Sequence, residues 1–392
     1  MKPRIEHQEF IERVKKTQEA MKKENLDLIF AYGNEAEPQY IRYYSNYWPN
    51  FEVAGVLIPA EGEATLIIGP ESETFSKSVS HISRIRRVLA FRESSEPEYP
   101  DAVLCTFEEV IRETMNGKNP KNIGIVGGCL ISHVVYLALD EALKNMGNPE
   151  LVKADMLVAR LRAAKSPAEL ACMREAYRIT QCAMKKVLDS IKVGMTEEQV
   201  RGIAVGVMYQ EGAEGEAYPC WILTGEGSNH AIGRCRGKVI EAGDLVQIQI
   251  GARYQGYAST IGRAVVMGKA TESQKQIIEA SLAGQKAILE TARAGINAKA
   301  VNDAHYEAIK SYGREGNILY GPCHGTGLME GEYPWIESNS DYLLEEGMTF
   351  CTCVYLGDNE EKMGVRFEDG FMVTKDGTES FSDYRRELIE IL

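Results

Sequence analysis

Hydrophobic and polar positions change their period along this chain, and the changes divide it in two. From Phe10, FIERVKKTQEAMKKEN spaces its apolar residues as one face of a helix, whereas LDLIFAYG from Leu26 is a short apolar run of strand formers. A hairpin is predicted in FEVAGVLIPAEGEATLIIGP from Phe51, with PAEGEA as its turn, then a strand in NIGIVGG from Asn122 and a helix in HVVYLALDEALKNM from His133. Helices and strands interleaved in this way predict an α/β domain over residues 1 to about 155.

Past that point the pattern turns to long capped helices. Ser166, Pro167 and Glu169 form a capping box with proline at the first helical position, so a domain boundary is expected just before Lys165, giving domains 1–158 and 159–392. A second long helix is announced by Thr271 and Gln274. Each long helix leads into a similar segment, KVGMTEEQV from Lys192 and RAGINAKAV from Arg293, in which glycine, an apolar residue and a Thr or Asn cap precede another helix. A unit of helix, cap, helix and strands used twice predicts two similar halves with a cleft between them. Between the repeats, LVQIQIGARYQGYASTIGRAV from Leu245 reads as strands around a turn. Gln247 and Gln249 share one face, and Ile248 and Ile250 share the other. That polar face either meets water or lines the cleft.

Composition narrows the classes. Of 392 residues, 44% are apolar and 26% charged, and no apolar run approaches the roughly 20 residues that span a bilayer, so no membrane partner is expected. The N-terminus is charged from its start and lacks a secretory pattern, which predicts a cytoplasmic protein. A net charge of -13 argues against nucleic acid as a partner. The nine cysteines include no CxxC pair and read as reduced thiols, Cys351 and Cys353 lying on one strand face. GIVGGCLIS lacks the spacing of a dinucleotide loop, so no nucleotide site is predicted in the first domain.

The duplicated half, with GDLVQIQIGARYQGYASTIGRAV, GPCHGTGL, LEEGMTF and GVRFEDGFMVT in order, resembles the pita-bread family of prolidase, aminopeptidase P, methionine aminopeptidase and creatinase. The first domain is similar to the N-terminal domain of its creatinase and prolidase branch. The resemblance implies an α/β N-terminal domain followed by an α+β, duplicated pita-bread domain. It also implies a homodimer. Metallopeptidases of this family hold two ions on two Asp, one His and two Glu, and those positions fall here on Gln249, Thr260, His324, Cys353 and Glu368. A carboxamide and a hydroxyl do not replace carboxylates as ligands of hard divalent ions, so no metal and no cofactor are expected.

His324 and Glu368 retained without a metal set resemble creatinase, whose acid/base histidine corresponds to His230. Histidine exchanges protons near neutral pH, which suits that task. The expected function is therefore a metal-independent hydrolase acting on a C–N bond of a small amide, amidine or guanidino substrate. His230, His324 and Glu368 would be catalytic, and Gln249, Thr260, Cys353, Glu332 and Arg366 would line the pocket. Arg366, two residues before Glu368, shares its strand face and holds the carboxylate ionised.

Creatine itself is not the expected substrate, because Gly262 and Cys353 stand at two creatinase glutamates and Gly331 at its second histidine, while Glu52 and Trp335 fall near its substrate-binding arginines. Glu52, Glu330 and Glu332 point instead to a cationic group. Cys353 leaves three roles open: a nucleophile beside His324, a soft-ion ligand with His324 and Glu368, or a small buried filler. Two alternatives stand beside the main expectation. One is an Xaa-Pro peptidase with a divergent metal site, and the other is a member of the fold that binds peptide without cleaving it.

Overall fold

The computed structural model describes residues 2–392, and its contacts group them into two units, Ile5–Arg162 and Ala163–Leu392, the second joined by residues 2–4. In the first unit the chain runs α1 (His7–Lys23), β1 (Leu28–Gly33), α2 (Gln39–Ser45), β2 (Ala54–Pro59), β3 (Thr65–Ile68), α3 (Glu73–Val79), β4 (Arg84–Arg87), α4 (Phe107–Thr114), β5 (Asn122–Val126), α5 (His133–Asn145) and β6 (Glu150–Lys153), and α6 (Asp155–Ala163) leads out of it. One mixed sheet orders its strands β4-β3-β2-β1-β5-β6. β1, β2 and β3 are buried along their whole length, which explains their unbroken apolar sequences. Leu28, Phe30, Tyr32, Leu57 and Ile67 of these strands pack with Phe107, Val110, Val135 and Leu139 of the helices.

Glu52 belongs to this unit and is already used. Its buried carboxylate accepts the backbone N–H groups of Glu71 (3.0 Å) and Ser72 (3.1 Å) at the start of α3, a position a helix dipole favours for an anion. It holds a helix end rather than a cationic substrate.

The second unit contains the expected duplication. α7 (Pro167–Ser190) and α8 (Glu197–Gln210) form one helix pair, and α9 (Glu272–Thr291) and α10 (Ala298–Lys310) form the other. Complete capping boxes start α7 at Ser166, α8 at Thr196 and α9 at Thr271, while the Asn297 side chain accepts the Lys299 N–H at the start of α10.

The strands are β7 (Gly215–Glu216), β8 (Trp221–Thr224), β9 (Leu245–Ile250), β10 (Ala252–Tyr254), β11 (Tyr257–Ala258), β12 (Ile261–Met267), β13 (Cys323–Gly325), β14 (Glu332–Ile336), β15 (Thr349–Asp358), β16 (Met363–Val373), β17 (Thr378–Ser380) and β18 (Ile389–Ile391). The main sheet runs β14-β13-β15-β16-β12-β9-β8, with β17 on β16 and β18 on β12. β7, β10 and β11 make a small separate sheet. Apolar residues of α9, α10, β15 and β16, among them Ile277, Ile288, Val301, Phe350, Val354 and Phe367, close the core on one face of the main sheet.

β9 is buried on both faces, which removes the possibility that its glutamines face water. Gln247 accepts the Trp221 indole N–H (3.2 Å) and donates to the Ser228 carbonyl (2.8 Å). Among the described residues no helix is long and apolar enough to cross a membrane.

Candidate active site

A single line of register assembles the site. Trp221 on β8 pairs with Gln249 on β9, Gln249 with Gly262 on β12, Gly262 with Glu368 on β16, and Glu368 with Cys353 on β15. Residues directly opposite in antiparallel strands project from the same face, so five distant segments deliver one row of side chains. His324 on β13 joins the row diagonally, opposite Cys351, two residues before Cys353. Gly262 makes room in the row: a Cβ there would lie 2.4 Å from Gln249 Oε1.

Glu368 is the centre of the polar cluster. It is buried and accepts hydrogen bonds from the Thr260 hydroxyl (2.9 Å), the Cys353 thiol (2.9 Å) and Arg366 Nη1 (3.2 Å). Tyr218 extends the network to Thr260, hydroxyl to hydroxyl at 2.8 Å. Burial pushes the Glu368 carboxyl up, and Arg366 opposes it. Burial, with Glu368 next, raises the Cys353 thiol, so in this state Cys353 is a hydrogen-bond donor and not a ready thiolate.

Arg366 sits among three rings, its guanidinium carbon 5.5 Å from the centre of Tyr355 and 5.7 Å from those of Trp221 and Tyr320. It also donates to the Ala231 carbonyl.

His324 forms the other pole. Its Nδ1 lies 3.0 Å from the Gly325 carbonyl and its Nε2 3.3 Å from a Glu330 carboxylate oxygen. Burial alone would lower its pKa, but Glu330 and Cys353 outweigh burial and hold it well above the usual range. Burial would raise Glu330, but His324 outweighs that and draws it down. The pair is imidazolium and carboxylate, with both ring nitrogens donating.

The structure therefore brings Gln249, Thr260, His324, Cys353, Arg366 and Glu368 together, and two expected site residues stand apart. His230 is exposed on the loop after β8, and among the described residues its ring nitrogen meets Arg236 Nη1 (3.2 Å) rather than the cluster. Glu332 forms a buried ion pair with Lys165 (2.8 Å). Residues that the sequence does not place in the cluster are Glu330, read there only as a pointer to a cationic group, and the ring set of Tyr218, Trp221, Tyr320 and Tyr355. Period-2 spacing from Arg366 points at no particular ring; only the strand pairing identifies Tyr355 as its partner.

Two stretches of the chain match known families: residues 171–375 match metallopeptidase family M24, and residues 13–164 match the creatinase/prolidase N-terminal domain. The Xaa-Pro dipeptidase of Pyrococcus furiosus is 30% identical over 382 residues, spanning 96% of this chain and 99% of that protein. The chain belongs to metallopeptidase family M24. The Pyrococcus horikoshii Xaa-Pro dipeptidase is likewise 30% identical over 380 residues, and the crystal structure of the prolidase from Pyrococcus horikoshii OT3 superimposes with a TM-score of 0.82 at 28% identity, covering 96% of this chain and all of that one. The N-terminal domain and pita-bread architecture are those of the M24 prolidases. These whole-length similarities overturn the expectation of a metal-independent, creatinase-like C–N hydrolase, because the relatives are named as Xaa-Pro dipeptidases.

The two-ion centre implied by M24 does not fit the residues present. Gln249 Nε2 donates to the Arg366 carbonyl (3.3 Å), and among the described residues its buried Oε1 accepts no hydrogen bond. Thr260 offers a hydroxyl whose proton is given to Glu368, and the Arg366 guanidinium lies against the same carboxylate. A second hard cation would meet a fixed positive charge and too few anionic oxygens.

Proposed function

We propose that this chain hydrolyses short peptides at an Xaa-Pro bond. The similarity to Xaa-Pro dipeptidases along nearly the whole of both chains carries the reading, with His324 and Glu368 kept at the family's positions in one buried cluster. In it, Glu368, held by Thr260, Cys353 and Arg366, takes a proton from the water that adds to the carbonyl carbon, and the proton that Glu330 holds on His324 passes to the proline nitrogen as the C–N bond breaks. Gln249 presents its free Oε1 to a substrate N–H. Glu332 supports the pocket through Lys165, and His230 has no assigned step. The substrate is a small molecule, and the resemblance adds a homodimer in the cytoplasm.

The test is proline release from a panel of Xaa-Pro dipeptides, run with zinc, manganese or cobalt added and with a chelator. Proline should appear in at least one condition and drop at least about 100-fold in His324→Ala and Glu368→Gln proteins that remain folded. No release under any condition, or release unchanged in both variants, removes the reading.

The neutral side chains at three ligand positions favour one second reading, a protein that binds peptides without cutting them. Its signature is calorimetric binding of the same dipeptides with no proline formed.

A further inference from the structure

Beside the family's ligand positions lies a different donor set. One ligand atom from each of His324, Glu330, Cys351 and Glu368 lies within 4.8 Å of the others. Cys351 is positioned by two strands at once, opposite His324 on β13 and opposite Gly370 on β16, two residues beyond Glu368. His324, Cys351 and Glu368 are buried, whereas the Glu330 side chain is 24% exposed, leaving one side from which an ion could enter. Gln249 Oε1 is an independent sign that the cluster lacks a partner. It is fully buried, accepts no hydrogen bond among the described residues, and lies over Gly262, the residue paired with Glu368.

Imidazole, thiolate and two carboxylates are the donors of a four-coordinate zinc site, and the sulfur selects against manganese and magnesium. A tetrahedron on bonds of about 2.0–2.3 Å has edges of about 3.3–3.8 Å, so the set must close by about 1 Å. Charge balances in both states. Without an ion, Arg366 and the His324 imidazolium offset Glu330 and Glu368. When a divalent ion enters, the protons of His324 and Cys351 leave to solvent, and the ion with Arg366 offsets two carboxylates and a thiolate.

We propose that this cleft holds one soft divalent cation, zinc, on His324, Glu330, Cys351 and Glu368, and that Arg366 supplies the positive charge of the second ion in the family's pair. The site goes beyond the peptidase reading and stands whether or not a peptide is cut; because it uses His324, Glu330 and Glu368 as ligands, the proton steps assigned to them above belong to the ion-free chain.

The experiment uses the full chain, loaded with zinc and dialysed. Elemental analysis should return one zinc per chain, and zinc X-ray absorption should show one sulfur at about 2.3 Å among lighter ligands. Cobalt(II) loading should give a thiolate charge-transfer band that disappears in Cys351→Ser and persists in Cys353→Ser. Two ions per chain, no retained zinc, a shell of nitrogen and oxygen alone, or a sulfur signal lost only in Cys353→Ser would each overturn the proposal. If Cys351→Ser does not fold, the wild-type absorption spectrum decides alone. Proline release is scored separately. Zinc retained without cleavage removes the peptidase and keeps the ion, whereas cleavage by a chain that retains no zinc does the reverse.

Discussion

At the scale of single residues, absent side chains shape this cleft as much as present ones. Gly370 lies opposite Cys351, and a Cβ there would fall 2.0 Å from the Tyr177 hydroxyl oxygen. Tyr177 is fully buried and has no room to retreat. Gly370→Ala should therefore cost about 1–3 kcal/mol of stability, as overpacked cores do, and because the ring carbon Cζ of Tyr177 would itself lie 2.4 Å from that Cβ, adding Tyr177→Phe should restore little of it. Urea unfolding of the two variants checks this, and a Gly370→Ala protein as stable as wild type would contradict the packing. Individual residues were also where the sequence was hardest to read. His324 and Glu368 are marked by their motifs, whereas Glu330, in sequence only one of three glutamates pointing to a cationic group, gains its role from the fold, which sets it 3.3 Å from His324. His230 misled for the opposite reason: a loop rich in Gly and Asn suggested access to the cluster, whereas the folded loop turns the ring toward Arg236.

Among secondary-structure elements, those with local causes were legible. Ser166, Thr196 and Thr271 announced α7, α8 and α9 because a capping box acts over four residues. The row from Trp221 to Cys353 is not legible in the sequence, because register is set by pairing between strands, and its middle step joins Gly262 to Glu368, over a hundred residues further on.

The packing of α10 against α9 also sets a pH dependence. His305 is buried there, its Cδ2 3.0 Å from where a Cβ on Gly284 of α9 would lie, and burial lowers its pKa to about 4. Unfolding returns it to about 6.5, so the unfolded chain takes the proton first as pH falls. Stability is full above about pH 6.5 and declines toward about pH 4, with a loss of about 2 kcal/mol by pH 5. Chemical unfolding at pH 7 and pH 5 should show that loss in wild type and a correspondingly smaller one in His305→Leu. Equal losses in both proteins would remove His305 as the cause.

Over the whole molecule, the balance of signals changes. Three altered ligand positions suggested a creatinase-like chemistry, yet similarity to an Xaa-Pro dipeptidase extends over 96% of the chain. Ligand identity reports what a centre can bind, whereas likeness along the full chain reports the family, and the Xaa-Pro dipeptidases among these relatives favour a peptide over a guanidino compound. The homodimer carried over from the resemblance is a prediction at this scale. Sedimentation equilibrium should return twice the chain mass of 43.6 kDa, and a single-chain mass across micromolar concentrations would remove it.

The couple formed by Gly262 and Gln249 reaches beyond this one chain. Because a Cβ at 262 would fall on the carboxamide at 249, position 262 is not free to drift while 249 keeps its glutamine. Descendants that shorten residue 249 become able to carry a side chain at 262, while those that keep glutamine remain tied to glycine. Aligned relatives of this chain should record that exchange as covariation between the two columns.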